Sequence, residues 1–449
     1  MHRGWYCKRL FTGGAEFTGL VYMTRKFVTA KPASDYRKLG EEPDPLAESK
    51  IASMASSTDS PAAQQERDFA ALSIAAAGGL AIALTALFLC VVPLAGNIAG
   101  AHDFVVYWAT GQQLVHHANP YDADAMMRIE RSSGLAPGYG VLFMRNPPWA
   151  LSLAFPLGLM SLRTGALLWS LALVACLAAS VRALWLLNGR PGNRLHWIAL
   201  SFAPALICLF VGQTSLFALF GLVLFLRLHR PHPFMAGLSL WLCALKPHLF
   251  LPFGVVLLTW VVVSRSYKVL AGATIALSSS CAAAFYIAPS AWIDYSRMMR
   301  APGIEGEFIP CLSVALRLWI RPNTPWLQFL PVAIACAWAL AYYWPRRQAW
   351  DWLKDGTPLM LVSIFAAPYC WLYDQALVIP ALLYGAYRTR SRTLLAALAV
   401  TSIVIDAGLV CGVRITSALF LWTAPAWLAW YLLAQVSAAQ PSASQPPEQ

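Results

Sequence analysis

Twelve apolar runs follow one another between residues 70 and 435, joined by short polar connections, and this succession decides what the chain can fold into. A hydrocarbon core of about 30 Å takes about 20 apolar residues of helix to cross. Free backbone groups are not tolerated there, so spanning segments are helices or closed barrels. The runs lie near 70–92, 164–187, 196–212, 214–229, 233–247, 248–264, 268–289, 326–344, 357–373, 374–388, 393–411 and 416–435. Those from 233 to 264 and from 357 to 388 are short and paired through a polar turn. A further run, 147–162, is short and contains Pro156; it reads as a partly inserted helix that does not fully span. The predicted fold class is an all-α polytopic membrane protein with about twelve transmembrane helices. Charge agrees: charged residues make up 12% of the chain, against about 25% in a soluble domain, which excludes an ordinary soluble enzyme.

Two tails flank this region. Residues 1–69 are polar, carry Pro43, Pro45 and Pro61, and lack the apolar stretch of a signal peptide. They read as a disordered cytoplasmic tail. Met23 and Met54 are internal methionines, and a start at Met54 would leave only a short tail. Residues 436–449 form a second disordered cytoplasmic tail. The net charge of +12 does not signal nucleic acid, because the excess of Lys and Arg sits in short loops between apolar runs. Eight of the ten cysteines lie in or beside apolar runs and no CxxC spacing occurs, so they read as small buried hydrophobes.

Charge also predicts orientation. With the N-terminus in the cytoplasm, Arg182, Arg190, Arg194, Arg227, Arg230, Arg265, Lys268, Arg346, Arg347, Arg388, Arg390 and Arg392 all fall inside, as the positive-inside rule expects. Residues 93–146 then form a long first outer loop and 290–325 a second. Both termini are cytoplasmic in this topology.

Five polar features collect at the outer ends of the runs. They are His102-Asp103-Phe104 with Tyr107-Trp108; Arg145-Asn146-Pro147-Pro148-Trp149; Gly212-Gln213-Thr214; Lys246-Pro247-His248; and Tyr369 with Tyr373-Asp374-Gln375. Polar turns at membrane depth are costly unless they line a cavity. Each feature also has a plain structural explanation. Asp103 could cap a helix, Gln213 could satisfy a turn, and Lys246 could snorkel to the interface. His248 could be an interfacial histidine, and Asp374 could pair with Arg297 or Arg300. Together they suit one reaction class: transfer of a sugar from a lipid-linked phosphate. That reaction needs a base for the acceptor hydroxyl and positive charge for the departing phosphate. The leaving group is already acidic, so no general acid is required.

The order of motifs resembles a known family. His102-Asp103-Phe104, Tyr107-Trp108 and Gly111 come first, then Asn119-Pro120-Tyr121-Asp122 and Asn146-Pro147-Pro148. Gly212-Gln213, Ala236-Gly237-Leu238, Leu245-Lys246-Pro247, Ala367-Pro368-Tyr369 and Tyr373-Asp374 follow. Over roughly residues 70–435 this is similar to glycosyltransferase family 87, membrane mannosyltransferase-like proteins of the GT-C superfamily. The resemblance implies a GT-C helical bundle whose first outer loop forms part of the active site. It implies an inverting hexosyltransferase that uses a polyprenyl-phosphate sugar, mannose in the better-known members, and a glycan or glycolipid acceptor of the cell envelope. Asp103 takes the place of the expected base. His102, Tyr107, Arg145, Asn146, Gln213, Lys246, His248, Tyr373 and Asp374 are the expected substrate-binding residues. No cofactor is expected, metal dependence is open, and the partners are membrane lipid, donor and acceptor, with no nucleic acid. The expected location is the bacterial plasma membrane, with the site facing outward. The 69-residue tail departs from the family's usual short N-terminus. A transporter or flippase of lipid-linked glycans would share the basic loops and the polar cavity, and a polysaccharide polymerase or ligase would share the lipid-linked substrates. Against the transporter stand the missing inverted repeat and the lack of an acid pair at midplane depth, Asp406 apart; against the polymerase stands the position of the Asp-bearing loop, which is first and not late.

Overall fold

The computed structural model describes residues 102–135, 140–300 and 308–439. The expected tails, apart from residues 436–439, and the expected first span at 70–92 lie outside them. Among the described residues the chain is helical and has no strand. The described part of the expected first outer loop is helical: α1 (His102–Val115) is followed by α2 (Ala123–Ser132). The Asn119–Asp122 motif serves this local turn. Asn119 Oδ1 accepts from the Tyr121 N–H, and Asp122 caps α2 by accepting from the Ala125 N–H at 2.8 Å.

The chain then re-enters through Pro148–Ala150 into α3 (Leu151–Gly158), an eight-residue helix. At about 1.5 Å per residue it rises only about 12 Å, too little to cross, in keeping with a partly inserted segment. It packs on α1 with the backbones in contact: a Cβ on Gly111 would fall on the Ala154 carbonyl, and one on Gly158 would fall on Gly111. Small residues at such a crossing allow helices in an apolar solvent to gain close van der Waals contact.

Among the described residues, five helices are long and apolar enough to cross a membrane: α4 (Leu162–Leu187) and α9 (Tyr267–Ile287), then the segments Pro325–Arg346, Arg392–Val410 and Ala418–Ala439. All five fall on expected spans. Their outward faces carry Leu167, Leu171, Val174, Ile334, Val400 and Val404, each about half or more exposed. Such faces suit lipid and would be a liability in water.

The other expected spans are shorter or broken. The 196–212 run is a turn at Trp197–Leu200 followed by α5 (Ala203–Val211). Next come α6 (Ser215–Leu228), α7 (Pro233–Cys243) and α8 (Leu251–Val263). The expected second outer loop, 290–325, holds α10 (Ala291–Met299) and α11 (Leu312–Ile320). Within Pro325–Arg346 the α-helical part is α12 (Leu330–Tyr343). The 357–388 region contains α13 (Thr357–Ala366), a 3-10 turn over Leu372–Val378 and α14 (Ile379–Arg388). The last two long helices are α15 (Arg392–Val410) and α16 (Thr423–Ala439). Proline explains the shortness, since it lacks the N–H that continues a helix and stands in the first turns of α5, α7, α8 and α14. The broken ends are sheltered by protein: ten of the fourteen residues of α6 are buried. Irregular backbone at depth requires that shelter.

Candidate active site

The polar turns converge where α1, α5, α6 and the Leu372–Val378 turn meet. α5 ends at Gly212, whose φ of 78° is left-handed. Glycine adopts this conformation without the Cβ penalty, and a Cβ here would also lie 2.8 Å from Phe104 Cβ. The turn is fixed by the Gly212 and Gln213 N–H groups donating to the Cys208 carbonyl, and by Trp169 Nε1 donating to the Gly212 carbonyl at 2.7 Å. Its result is to aim Gln213 at α1.

Gln213 is the hub. Its Nε2 donates to Asp103 Oδ2 at 2.9 Å and to the Tyr373 hydroxyl at 3.3 Å. Its Oε1 accepts from the Tyr107 hydroxyl at 2.9 Å and from the Thr214 N–H at 3.1 Å. The backbone N–H and the carboxylate fix the amide's orientation, because one can only donate and the other, when charged, can only accept. Trp169 packs against Tyr107 at 5.2 Å between centroids and holds its ring in place.

Asp103 lies in the first turn of α1, partly exposed. Its Oδ1 has no hydrogen-bond partner among the described residues, and no cation lies within 4.0 Å of it there. Burial pushes its carboxyl up to about 6, against the opposing pull of the Gln213 amide and of Lys246 and Arg145. A carboxylate in that range is ionised at neutral pH yet basic enough to take a proton.

Next to this network is a neutralised pair. Lys246 Nζ donates to Asp374 Oδ1 at 2.7 Å and to Ser215 Oγ at 3.0 Å, and it lies 4.8 Å from the Tyr373 ring centroid. The Ser215 hydroxyl donates to Asp374 Oδ1 at 2.6 Å, and the Trp371 N–H donates to Oδ2. Both charged side chains are buried, at 8% and 1% exposure. Snorkelling of Lys246 and pairing of Asp374 with Arg297 or Arg300 are therefore both corrected: the two residues pair with each other. Arg297 instead contacts Asp294.

His248 stacks on Tyr369 at 3.8 Å, and its buried Nε2 has no hydrogen-bond partner among the described residues. Arg145, half-buried where the loop re-enters, is near enough to favour the charged form of Asp103, while its carbonyl accepts from Tyr295 of the second outer loop. Asn146 is a brace, with Nδ2 donating to the Leu245 carbonyl at 2.8 Å. Trp149 Nε1 likewise donates to the Ala244 carbonyl. His102 opens α1. Asp103, Tyr107, Gln213 and Tyr373 are thus joined directly. Lys246 and Asp374 adjoin them, and Asn146 supports the turn before Lys246.

Three contributors were not singled out from the sequence: Ser215, Trp169 and Trp371. Ser215 follows Gly212-Gln213-Thr214 immediately, and that polar run was its only signal. Among the described residues no three His, Cys, Asp or Glu side chains group as a metal site would need.

The family model for glycosyltransferase family 87 matches residues 143–368, just over half of the chain. The chain belongs to glycosyltransferase family 87. It is therefore a membrane glycosyltransferase. No curated protein and no solved structure matches it. The matched stretch is narrower than the resemblance over roughly 70–435. It takes in Arg145, Asn146, Gln213, Lys246 and His248, whereas Asp103, Tyr107, Tyr373 and Asp374 lie outside it. In this family 87 member those four are tied to the matched stretch by contacts, Asp103, Tyr107 and Tyr373 through Gln213 and Asp374 through Lys246.

Proposed function

We propose that this family 87 member transfers a hexosyl group, mannosyl in its simplest form, from a polyprenyl-phosphate donor to an envelope glycan or glycolipid. The acceptor hydroxyl gives its proton to Asp103 as its oxygen attacks the anomeric carbon. The bond from that carbon to the phosphate oxygen breaks on the opposite side, and polyprenyl phosphate departs with the electron pair. One displacement inverts the anomeric centre. The protein is a multi-pass component of a bacterial plasma membrane, with about twelve spans in a GT-C bundle, cytoplasmic termini and an outward-facing site.

The observation that carries this reading is the contrast between two acids a few residues' width apart. Asp374 has both oxygens occupied and its charge cancelled by Lys246. Among the described residues Asp103 is held by a neutral amide through one oxygen only. A general base needs an unoccupied lone pair and a tuned basicity, and Asp103 supplies both. Lys246 then acts mainly by holding Asp374 and the Tyr373 ring in place. The positive charge of Arg145, near enough to act on Asp103, supports a role for it toward the donor phosphate.

The test is transfer by purified protein in lipid nanodiscs, with a polyprenyl-phosphate mannose donor and a glycolipid acceptor. Product is expected from the wild type and not from Asp103→Asn. Donor moved across the bilayer without product would overturn the transferase reading.

A further inference from the structure

A second built feature lies at the far end of the same helices. α6 begins at Ser215 beside Asp374 and ends at Leu228. α7 begins at Pro233 and ends at Cys243, shortly before Lys246; α8 begins at Leu251, just after His248, and ends at Val263. Each helix therefore has one end at the Asp103 site and the other in a separate region about 20 Å away, taking about 1.5 Å per residue along α6. There a crevice of about 490 Å3 opens, lined by His229, Arg230, Arg265, Lys268, Trp260 and Trp352 among others. The two indoles stand edge to face, 5.4 Å between centroids.

The crevice is strongly cationic. Arg230 contacts Asp351 at 3.3 Å, in a pair open to solvent. Arg265 and Lys268 have no carboxylate within 4.0 Å among the described residues. Arg265 is held in the left-handed region at φ 54°, where glycine is usual at the end of a helix. A bulky residue there is disfavoured, yet the position sets the arginine at the mouth of the crevice, between α8 and α9. Exposed apolar side chains flank it within a turn: Met235 on α7, Val262 on α8 and Leu270 on α9. A soluble anion has no use for such a fringe, whereas acyl chains do.

We propose that this crevice binds the phosphate headgroup of an anionic membrane phospholipid, with its acyl chains lying along the apolar fringe. Basic pockets between membrane helices with an interfacial tryptophan floor have the right chemistry for such headgroups. The site is distinct from that of Asp103 and does not rest on the transferase reaction, so binding is read without turnover.

Native mass spectrometry of the full-length protein, released from detergent with added phosphatidylglycerol or phosphatidylcholine, tests this. The wild type is expected to retain phosphatidylglycerol at concentrations where phosphatidylcholine is lost. A cation near an anionic lipid surface is worth about fivefold in affinity, so Arg265→Gln/Lys268→Gln should weaken retention by about 25-fold. Both side chains are exposed, so the variant should fold, and Arg265→Lys, which keeps the charge, should keep most of the binding. Equal retention by the double-Gln variant, or no preference for phosphatidylglycerol, overturns the proposal. Displacement of the lipid by inorganic phosphate alone would show a soluble-anion site and overturn the lipid assignment.

Discussion

Replacing Asp103 by Asn separates a catalytic carboxylate from a structural one through two opposite effects. Asn keeps an oxygen to accept the Gln213 amide, so the bond at 2.9 Å can be retained. What it removes is charge. Carrying a carboxyl from 3.8 to about 6 corresponds to at most about 3 kcal/mol, and partial exposure lowers this to about 1–2 kcal/mol. The sign follows from proton binding. The folded protein holds the proton more tightly than the unfolded chain, so stability from this group is present below 3.8 and is lost as pH rises to about 6. At pH 7.5 the ionised carboxylate is a net cost. Asp103→Asn should therefore melt at the same or a higher temperature at pH 7.5, and the gain should vanish near pH 4. Its transfer rate should fall by about two orders of magnitude or more, the usual contribution of a general base. Wild-type turnover should itself decline as pH drops through about 6. Differential scanning fluorimetry with the nanodisc transfer assay reads both effects. A variant that melts several degrees lower, or one that transfers sugar at the wild-type rate, would refute the reasoning.

Three further outcomes are expected. Lys246→Ala leaves Asp374 buried and unpaired, which costs about 3–5 kcal/mol, so the yield of folded protein should drop sharply, and Lys246→Met/Asp374→Leu should recover much of it; size-exclusion profiles check this. Gly158→Leu drives a side chain into Gly111 and should separate α1 from α3, abolishing activity even where protein is recovered, whereas the open position Gly254 should accept Ala with activity unchanged. A cysteine at the exposed position 128 should be labelled by an impermeant reagent on intact cells and one at the C-terminus should not; the reverse pattern would invert the proposed topology.

The long spans were legible because a sustained apolar run has one solution in a bilayer, and α4 and α15 fall close to where their hydropathy places them. The central helices were harder. The run 248–264 opens as a 3-10 turn over Pro247–Phe250, and its α-helix begins only at Leu251, with Pro252 in the first turn. Of the site, the turns Gly212-Gln213 and Tyr373-Asp374 stood out as polar groups in apolar surroundings. Their pairing did not: Lys246 and Asp374 are 128 positions apart, and no local pattern tells a lysine that snorkels from one that meets a buried acid. Trp169 was hidden for the opposite reason, as one tryptophan among nineteen. Its hydrogen bond to Gly212 exists only once α4 lies against the turn.

The brevity of α6 has a consequence for how substrates meet. Fourteen residues rise about 21 Å, against a hydrocarbon slab of about 30 Å. Its two ends cannot both reach the membrane boundaries, and both carry polar groups, Gln213 with Ser215 at one and His229 with Arg230 at the other. A bilayer around a helix this short meets its polar ends only by thinning there. For the proposed reaction, such a thinned region sets the phosphate of a lipid-linked donor at the level of Asp103 while the lipid tail stays in the bilayer.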